Sequence, residues 1–272
     1  MVVPHGICYM QSFGAGAFRA LDDLLRGRLT EPLHVREGAA RSRVFLPWAL
    51  VLGGVHGFFI AWYAIVGGAE GAWWHMFAVM VKLPALFLLT LFVTFPSLYV
   101  FNALIGYGLS FRATLRLLVA TIVVNLALAA SLGPILAFFT LSTSSYAFIV
   151  LLNVLVLGIA GIVSVGFLLK ALLGLHVLER GAEKPFVADL ETGGPGGETA
   201  VAAVPADRER SPMGIFWVWI LTYAVVGSQM GWLLRPFIGE PGRELTLLRP
   251  RAGSFVESVW QTTRELARPG QK

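Results

Sequence analysis

Five polar side chains lie inside long apolar stretches of the sequence and are the first candidates for chemistry. They are an imidazole, an ammonium group and three carboxamides: His56, Lys82, Asn125, Asn153 and Gln229. If these stretches cross a bilayer, such groups are costly to bury and commonly mark a transport path, a proton relay or a hydrogen bond between helices. These five are therefore the candidate functional residues within the membrane.

The sequence favours a structural use for most of these groups. No Asp or Glu stands in an apolar stretch to share a proton with His56, which favours a neutral imidazole hydrogen-bonded to a neighbouring helix. Lys82 lies only a few residues after the start of the second apolar stretch. Its ammonium group is therefore expected to reach the lipid headgroups, and not to bind an anion or a substrate. Asn125 and Asn153 are expected to pair between helices, and Gln229 to serve similarly. Alternatively, all five line one water-filled path.

Two further candidates follow the last apolar stretch, namely Arg235 and Trp260. Ser254 and Glu257, three residues apart, form a capping-box pattern that predicts the start of a helix. The apolar residues of that helix fall on roughly one face: Phe255, Val256, Val259, Trp260 and Leu266. Such an amphipathic helix is predicted to lie on the membrane surface, to bind a partner or to dock on the bundle.

Motifs for catalysis or for cofactor binding are missing from the sequence. It has no glycine-rich nucleotide loop, no GxSxG and no HExxH. An intramembrane enzyme would depend on residues that form no recognisable nucleophile and base pair: His56, Lys82, Ser164 or Tyr223. The other histidines lack metal-ligand spacing: His5, His34, His75 and His176. We therefore expect no enzyme activity, no cofactor and no metal.

Composition identifies the environment of these residues. Mean hydropathy is +0.72, and only 14% of residues are charged, against roughly a quarter in soluble domains. Five apolar segments have the roughly 20 residues that cross a bilayer core. They are Val44–Val66, Met76–Asn102, Leu115–Phe139, Tyr146–Leu173 and Met213–Leu234. The sequence therefore predicts an all-α polytopic membrane bundle of about five spans, with short amphipathic helices near both ends. The first of these is Ala17–Arg26, with Phe18, Leu21 and Leu25 on its apolar face.

Charge predicts the orientation of the spans. Thirteen Lys and Arg residues fall in the loops and segments on the same side of the membrane as the N-terminus. Seven fall on the opposite side, and all seven are in the segment after the last span. By the positive-inside rule the N-terminus is cytoplasmic and the C-terminus external, in a membrane that we expect to be a bacterial inner membrane. The predicted order is a cytoplasmic segment (1–43), four spans (44–173), a flexible Gly- and Pro-rich cytoplasmic linker (174–212), a fifth span (213–234) and an external amphipathic segment (235–272).

Small residues predict how the spans pack. Ala49, Gly53, Gly57 and Ala61 recur every four residues in the first span, so another backbone can approach that face closely. Contact within the bundle is favoured over a seam between two copies. Pro84 and Pro96 are expected to kink the long second span, or to make it tilt or break.

One segment carries a family resemblance. The stretch VKLPALFLLTLFVTFPSLYVFNALIG, from Val81 to Gly106, resembles the central region of bacterial proteins assigned to the Yip family, which are five-span membrane proteins with a cytoplasmic N-terminal region. Eukaryotic Yip proteins bind small GTPases, but this chain has no recognisable motif for such a partner. The stretch GSQMGWLLRPFIGEPG is similar to a stretch found in uncharacterised bacterial membrane proteins. This similarity implies no activity.

Packing motifs, amphipathic end helices and the missing catalytic motifs together predict a non-catalytic organising component of a membrane assembly. Its expected partners are the lipid bilayer and either another protein or a second copy of the chain. Nucleic acid is not expected, because the basic residues are dispersed and form no polybasic run. The alternative is a transporter of a small molecule or a lipid, which would require the polar groups to converge on one cavity.

Overall fold

The computed structural model describes residues 16–27, 42–105, 111–191, 212–234, 238 and 254–267, with backbone only at 42–44, 98, 101–105, 175–191 and 212–216. The described part is helical and contains no strand. Its helices are residues 16–25 (α1), Ser42–Val66 (α2), Ala72–Ile105 (α3), Phe111–Ser131 (α4), Gly133–Ser142 (α5), Tyr146–Glu191 (α6), Pro212–Leu234 (α7) and Phe255–Ala267 (α8). Five spans are long and apolar enough to cross a membrane, which confirms the predicted all-α architecture.

The centre of the bundle is α2, which packs on α3, α4 and α5. Around it, α6 packs on α4, and α7 packs on α3. The most apolar part of the α2 span is 50% buried within the protein, whereas that of the α7 span is only 6% buried. Thus α2 is a core helix, and α7 is a peripheral one whose surface is left mainly to the bilayer.

Small residues hold α2 against α3 at backbone distance. A Cβ atom added to Gly53 would lie 2.8 Å from Pro84 Cβ, and one added to Gly57 would lie 2.9 Å from the carbonyl oxygen of Val79. Ala49 and Ala61, on the same face, are fully buried. This confirms that the small-residue face of the first span packs within the bundle.

The third span is broken, a feature that the sequence analysis did not predict. The helix α4 ends at Ser131, and α5 begins at Gly133 with Pro134 in its first turn. Proline has no N–H to donate to the preceding turn, and a side chain on Gly133 would overlap the ring of Phe59. In contrast, Pro84 and Pro96 both lie within the single helix α3.

The helix of the fourth span runs further than expected, although the apolar span itself ends at Gly174. The helix α6 continues to Glu191, so residues 174–191 of the predicted flexible linker are helical. This part of the sequence contains three Leu, three Glu and two Ala, which favour helix once a long helix has formed before them, and the helix also continues through Gly181 and Pro185. Residues 192–211, which contain the Gly-rich part of the linker, lie outside the described residues.

The first amphipathic helix docks on α2. Leu24 is buried, and the indole N–H of Trp48 donates to the carbonyl oxygen of Ala17 at 3.2 Å. Phe18 and Leu25, expected on the packed face, are instead 66% and 50% exposed. The buried face is rotated by one residue, although Phe18 still contacts the Trp48 ring edge to face.

Candidate functional site: polar groups in the bundle

The carboxamide of Asn125 binds a hydroxyl on another helix. Asn125 Nδ2, on α4, donates to Ser164 Oγ, on α6, at 3.3 Å, and Ser164 Oγ donates in turn to the carbonyl oxygen of Gly161 at 2.9 Å. Ala160, one turn before Ser164, is fully buried and lets the two helices approach. The partner of Asn125 is therefore Ser164, and the expected pairing with Asn153 is wrong.

A cavity of about 50 Å³ lies beside this hydrogen bond, where α3, α4, α6 and α7 meet. Its polar lining comes from Thr121, Asn125, Ser164 and Tyr223. Asn125 Oδ1 is buried and accepts no hydrogen bond from the described residues. One buried water needs roughly 10 to 15 Å³ of such a cavity, so this cavity has room for a few water molecules.

The imidazole of His56 lies at a second, separate polar contact. His56, on α2, is fully buried, and the groups that face it are the carbonyl of Ala129, on α4, and the side chain of Asn153, on α6. Neither ring nitrogen makes a hydrogen bond of good geometry, and Asn153 Oδ1 is also unpaired among the described residues. The predicted hydrogen bond of His56 to a neighbouring helix thus has two adjacent partners, the carbonyl of Ala129 and the side chain of Asn153.

Lys82 lies further from the start of its helix than the sequence indicated. The α3 span begins at Ala72, which places Lys82 ten residues along the helix, about 15 Å from its start. The span of 26 residues is about 39 Å long and exceeds the roughly 30 Å core, so its ends extend beyond the hydrocarbon, and the reach of the ammonium group to the headgroups stays a prediction. The side chain is half-buried and does not line the cavity near Asn125.

The remaining candidates lie away from both polar contacts. Gln229 is exposed on α7. Trp260, on α8, is 57% exposed, and the guanidinium of Arg264 lies 4.8 Å from the centre of its ring. Arg235 lies outside the described residues.

The helix α8 is capped as predicted and has two apolar stripes. The backbone N–H of Glu257 donates to Ser254 Oγ at 3.3 Å. Phe255 and Val259 are half-buried on a helix that contacts α6 and α7, whereas Val256 and Trp260 are exposed. The helix therefore touches the bundle with one stripe and presents the other outward.

The geometry divides the polar residues between separate helix contacts. Sequence reasoning found Asn125, Asn153 and His56 but did not predict that Asn125 pairs with Ser164, which it considered as a residue on which an intramembrane enzyme would depend. The signal for Ser164 was its position one helical turn after Ala160, which brings a hydroxyl to a close helix contact. Among the described residues no group of His, Cys, Asp and Glu side chains could hold a metal ion.

The five apolar spans make this chain an integral membrane protein of the polytopic α-helical class. Exposed tryptophans near the ends of α3 and α7 agree with that class: Trp73, Trp74 and Trp217. No protein-family model, no curated protein and no solved structure matches the chain.

Proposed function

We propose that this protein is a non-catalytic organising component of a membrane assembly, which binds a protein partner or a second copy of itself. The observation that supports this most is the separation of its intramembrane polar groups. His56 faces Asn153 at one contact, Asn125 bonds to Ser164 at another, and Gln229 lies on the outer surface. Groups that are distributed in this way hold helices together but provide no common site for a substrate.

Transport of a small molecule or a lipid is the second candidate function. In its favour are the position of Lys82, ten residues into the α3 span, and the oxygen of Asn125, which is unpaired among the described residues and lies at a cavity. The size of the cavity weighs against it, since about 50 Å³ is far below the roughly 300 to 1,000 Å³ of small-molecule sites. Transport would therefore need a second conformation in which α6 and α7 separate.

The proposal includes an orientation in a bacterial inner membrane. The N-terminal segment and the linker after α6 would be cytoplasmic and α8 external, which the charge count supports. A cysteine placed at Gly196, with Cys8→Ser, tests this orientation. An impermeant maleimide should leave it unlabelled in intact cells and label it after lysis, whereas labelling in intact cells would reverse the orientation.

The outer stripe of α8 is the proposed contact with the partner. Val256 is 70% exposed and Trp260 57% exposed, and Arg264 adds a positive charge beside them. An exposed tryptophan next to an arginine is a typical centre of a protein interface. Because the other stripe of α8 contacts α6 and α7, a partner bound here would be held at a fixed place on the bundle.

Affinity purification of the full chain from native membranes tests the proposal. Trp260→Glu should lose co-purifying protein that the wild type retains, because a carboxylate replaces the apolar centre of the stripe. Gln261→Glu is the matched control, since it adds the same charge to an exposed position one residue away. Identical sets of co-purifying proteins from all three chains would contradict the proposal.

A further inference from the structure

The outer face of α7 carries a polar stripe in the most exposed span of the protein. Val218, Thr222, Val225 and Gln229 are all exposed, and they are spaced by four, three and four residues. This is the spacing of a heptad seam, so the four side chains lie in one line along the helix. The opposite side of α7 packs on α3, where added Cβ atoms on Gly227 and Gly231 would each lie 3.5 Å from an α3 side chain.

Gln229 is the exceptional member of this stripe. The α7 span covers Trp217–Leu234, which places Gln229 about 5 Å from its middle. The hydroxyl of Thr222 is satisfied by the carbonyl oxygen of Val218 at 2.9 Å, but Gln229 has no hydrogen bond with any described residue. Its carboxamide therefore exposes an acceptor and two N–H donors to hydrocarbon, where no water replaces the missing bonds.

We propose that the outer stripe of α7 binds the same stripe of a second copy of this chain, with the two Gln229 carboxamides hydrogen-bonded to each other. The inference rests on the proposed function and names the partner of one of its surfaces. A carboxamide is both donor and acceptor, so it is complementary to itself. The four side chains of the stripe carry no charge that would select a different, charged helix.

Membrane topology brings the two Gln229 residues together. Two copies with the same orientation are related by a twofold axis along the membrane normal, so each residue of α7 lies at the same depth as its equivalent. Gln229 then meets Gln229 across the axis, and Val225 and Val218 meet their own equivalents on the same seam. The stripe residues that precede the carboxamide, Val218, Thr222 and Val225, are β-branched and compact, which allows the two helices to approach.

Disulfide cross-linking in membranes tests this seam. In the full chain with Cys8→Ser, Val225→Cys should form a cross-linked dimer under mild oxidation. Ala224→Cys is the matched control, because Ala224 is also exposed on α7 but points about 130° away from the stripe. Cross-linking of both positions to the same extent, or of neither, would overturn the proposal.

A second variant tests the role of the carboxamide itself. Adding Gln229→Leu to Val225→Cys should weaken dimerisation about fivefold, as expected for the loss of one intramembrane hydrogen-bonded contact, and Gln229→Asn should restore part of it. The leucine variant is more apolar and should insert normally. Unchanged cross-linking in Gln229→Leu would show that the carboxamides do not pair. Co-purification that depends on Trp260 should persist in Gln229→Leu, so failure of this seam is distinguishable from failure of the proposed function.

Discussion

Two helices pack on α3 through small residues, and they do so in different ways. Gly53 and Gly57 bring α2 against α3 so closely that an added Cβ would lie within 3 Å of Pro84 and of the Val79 backbone. On the other side of α3, Gly227 and Gly231 meet only side-chain ends, at 3.5 Å. The same four-residue spacing therefore identifies a packed face but not the closeness of the contact, which depends on what the opposite helix presents.

The contact between α2 and α3 is therefore a rigid centre, and the contact between α3 and α7 is an adaptable edge. Backbone atoms of α3 cannot move away from an enlarged residue on α2 without shifting the helix, whereas the side chains that face α7 can change rotamer. Tolerance to substitution should therefore differ between the two contacts, and it can be measured on the same protein.

The largest expected effect is that of Gly57→Leu. A leucine side chain would force α2 away from the Val79 and Met80 backbone, and we expect a loss of about 3 kcal/mol in the free energy of unfolding. Leu50→Ala is the control, because Leu50 is 48% exposed to the bilayer side and should cost about 1 kcal/mol or less. Unfolding in mixed micelles measures the free energy of unfolding of both variants. Equal stability of Gly57→Leu and wild type would contradict the claim that the contact between α2 and α3 is rigid.

A smaller effect, with the opposite sign, is expected at His56. Both of its ring nitrogens are buried without a hydrogen bond to the described residues, so His56→Leu should raise the free energy of unfolding by about 1 kcal/mol. Thr94→Val is the matched control, because the buried hydroxyl of Thr94 is bonded to the carbonyl oxygen of Thr90 at 2.8 Å and its removal should bring no gain. Clear destabilisation by His56→Leu would mean that the imidazole makes a bond that holds the centre together.

The smallest effect is expected at the edge. Gly227→Ala adds a methyl group in ordinary contact with Thr90 and favours the helix, so stability should rise by about 0.5 kcal/mol. Gly57→Ala, in which the same methyl group would lie 2.9 Å from a backbone oxygen, should instead lower it. If the two alanine variants change stability alike, the two contacts do not differ as described.

Hydropathy was sufficient to predict the five spans, because each depends on the summed polarity of about 20 residues and tolerates local exceptions. The contact partners of single residues were harder to predict. Asn125 meets Ser164 and His56 faces Asn153 because of how α2, α4 and α6 are rotated about their axes, and composition does not determine that rotation. The face of α1 was misplaced by one residue for the same reason.

Whether a proline breaks a helix depends on the contacts around it. Four prolines lie within the apolar stretches, namely Pro47, Pro84, Pro96 and Pro134, yet only Pro134 accompanies a break, and it follows a glycine that packs on Phe59. Proline is tolerated within a helix when the carbonyls that it frees find other partners. Which outcome occurs depends on tertiary contacts, and a hydropathy profile does not contain them.

The length of α6 sets a distance between the membrane and whatever follows it. Its span ends at Gly174, and the remaining 17 residues to Glu191 extend the helix by about 26 Å. A helix of this length acts as a spacer, and on the proposed orientation its end at Glu191 lies clear of the lipid headgroups in the cytoplasm. A soluble protein that docked there would be held at a set height above the membrane, beyond most of the surface potential of the lipids, which falls off within about 10 Å.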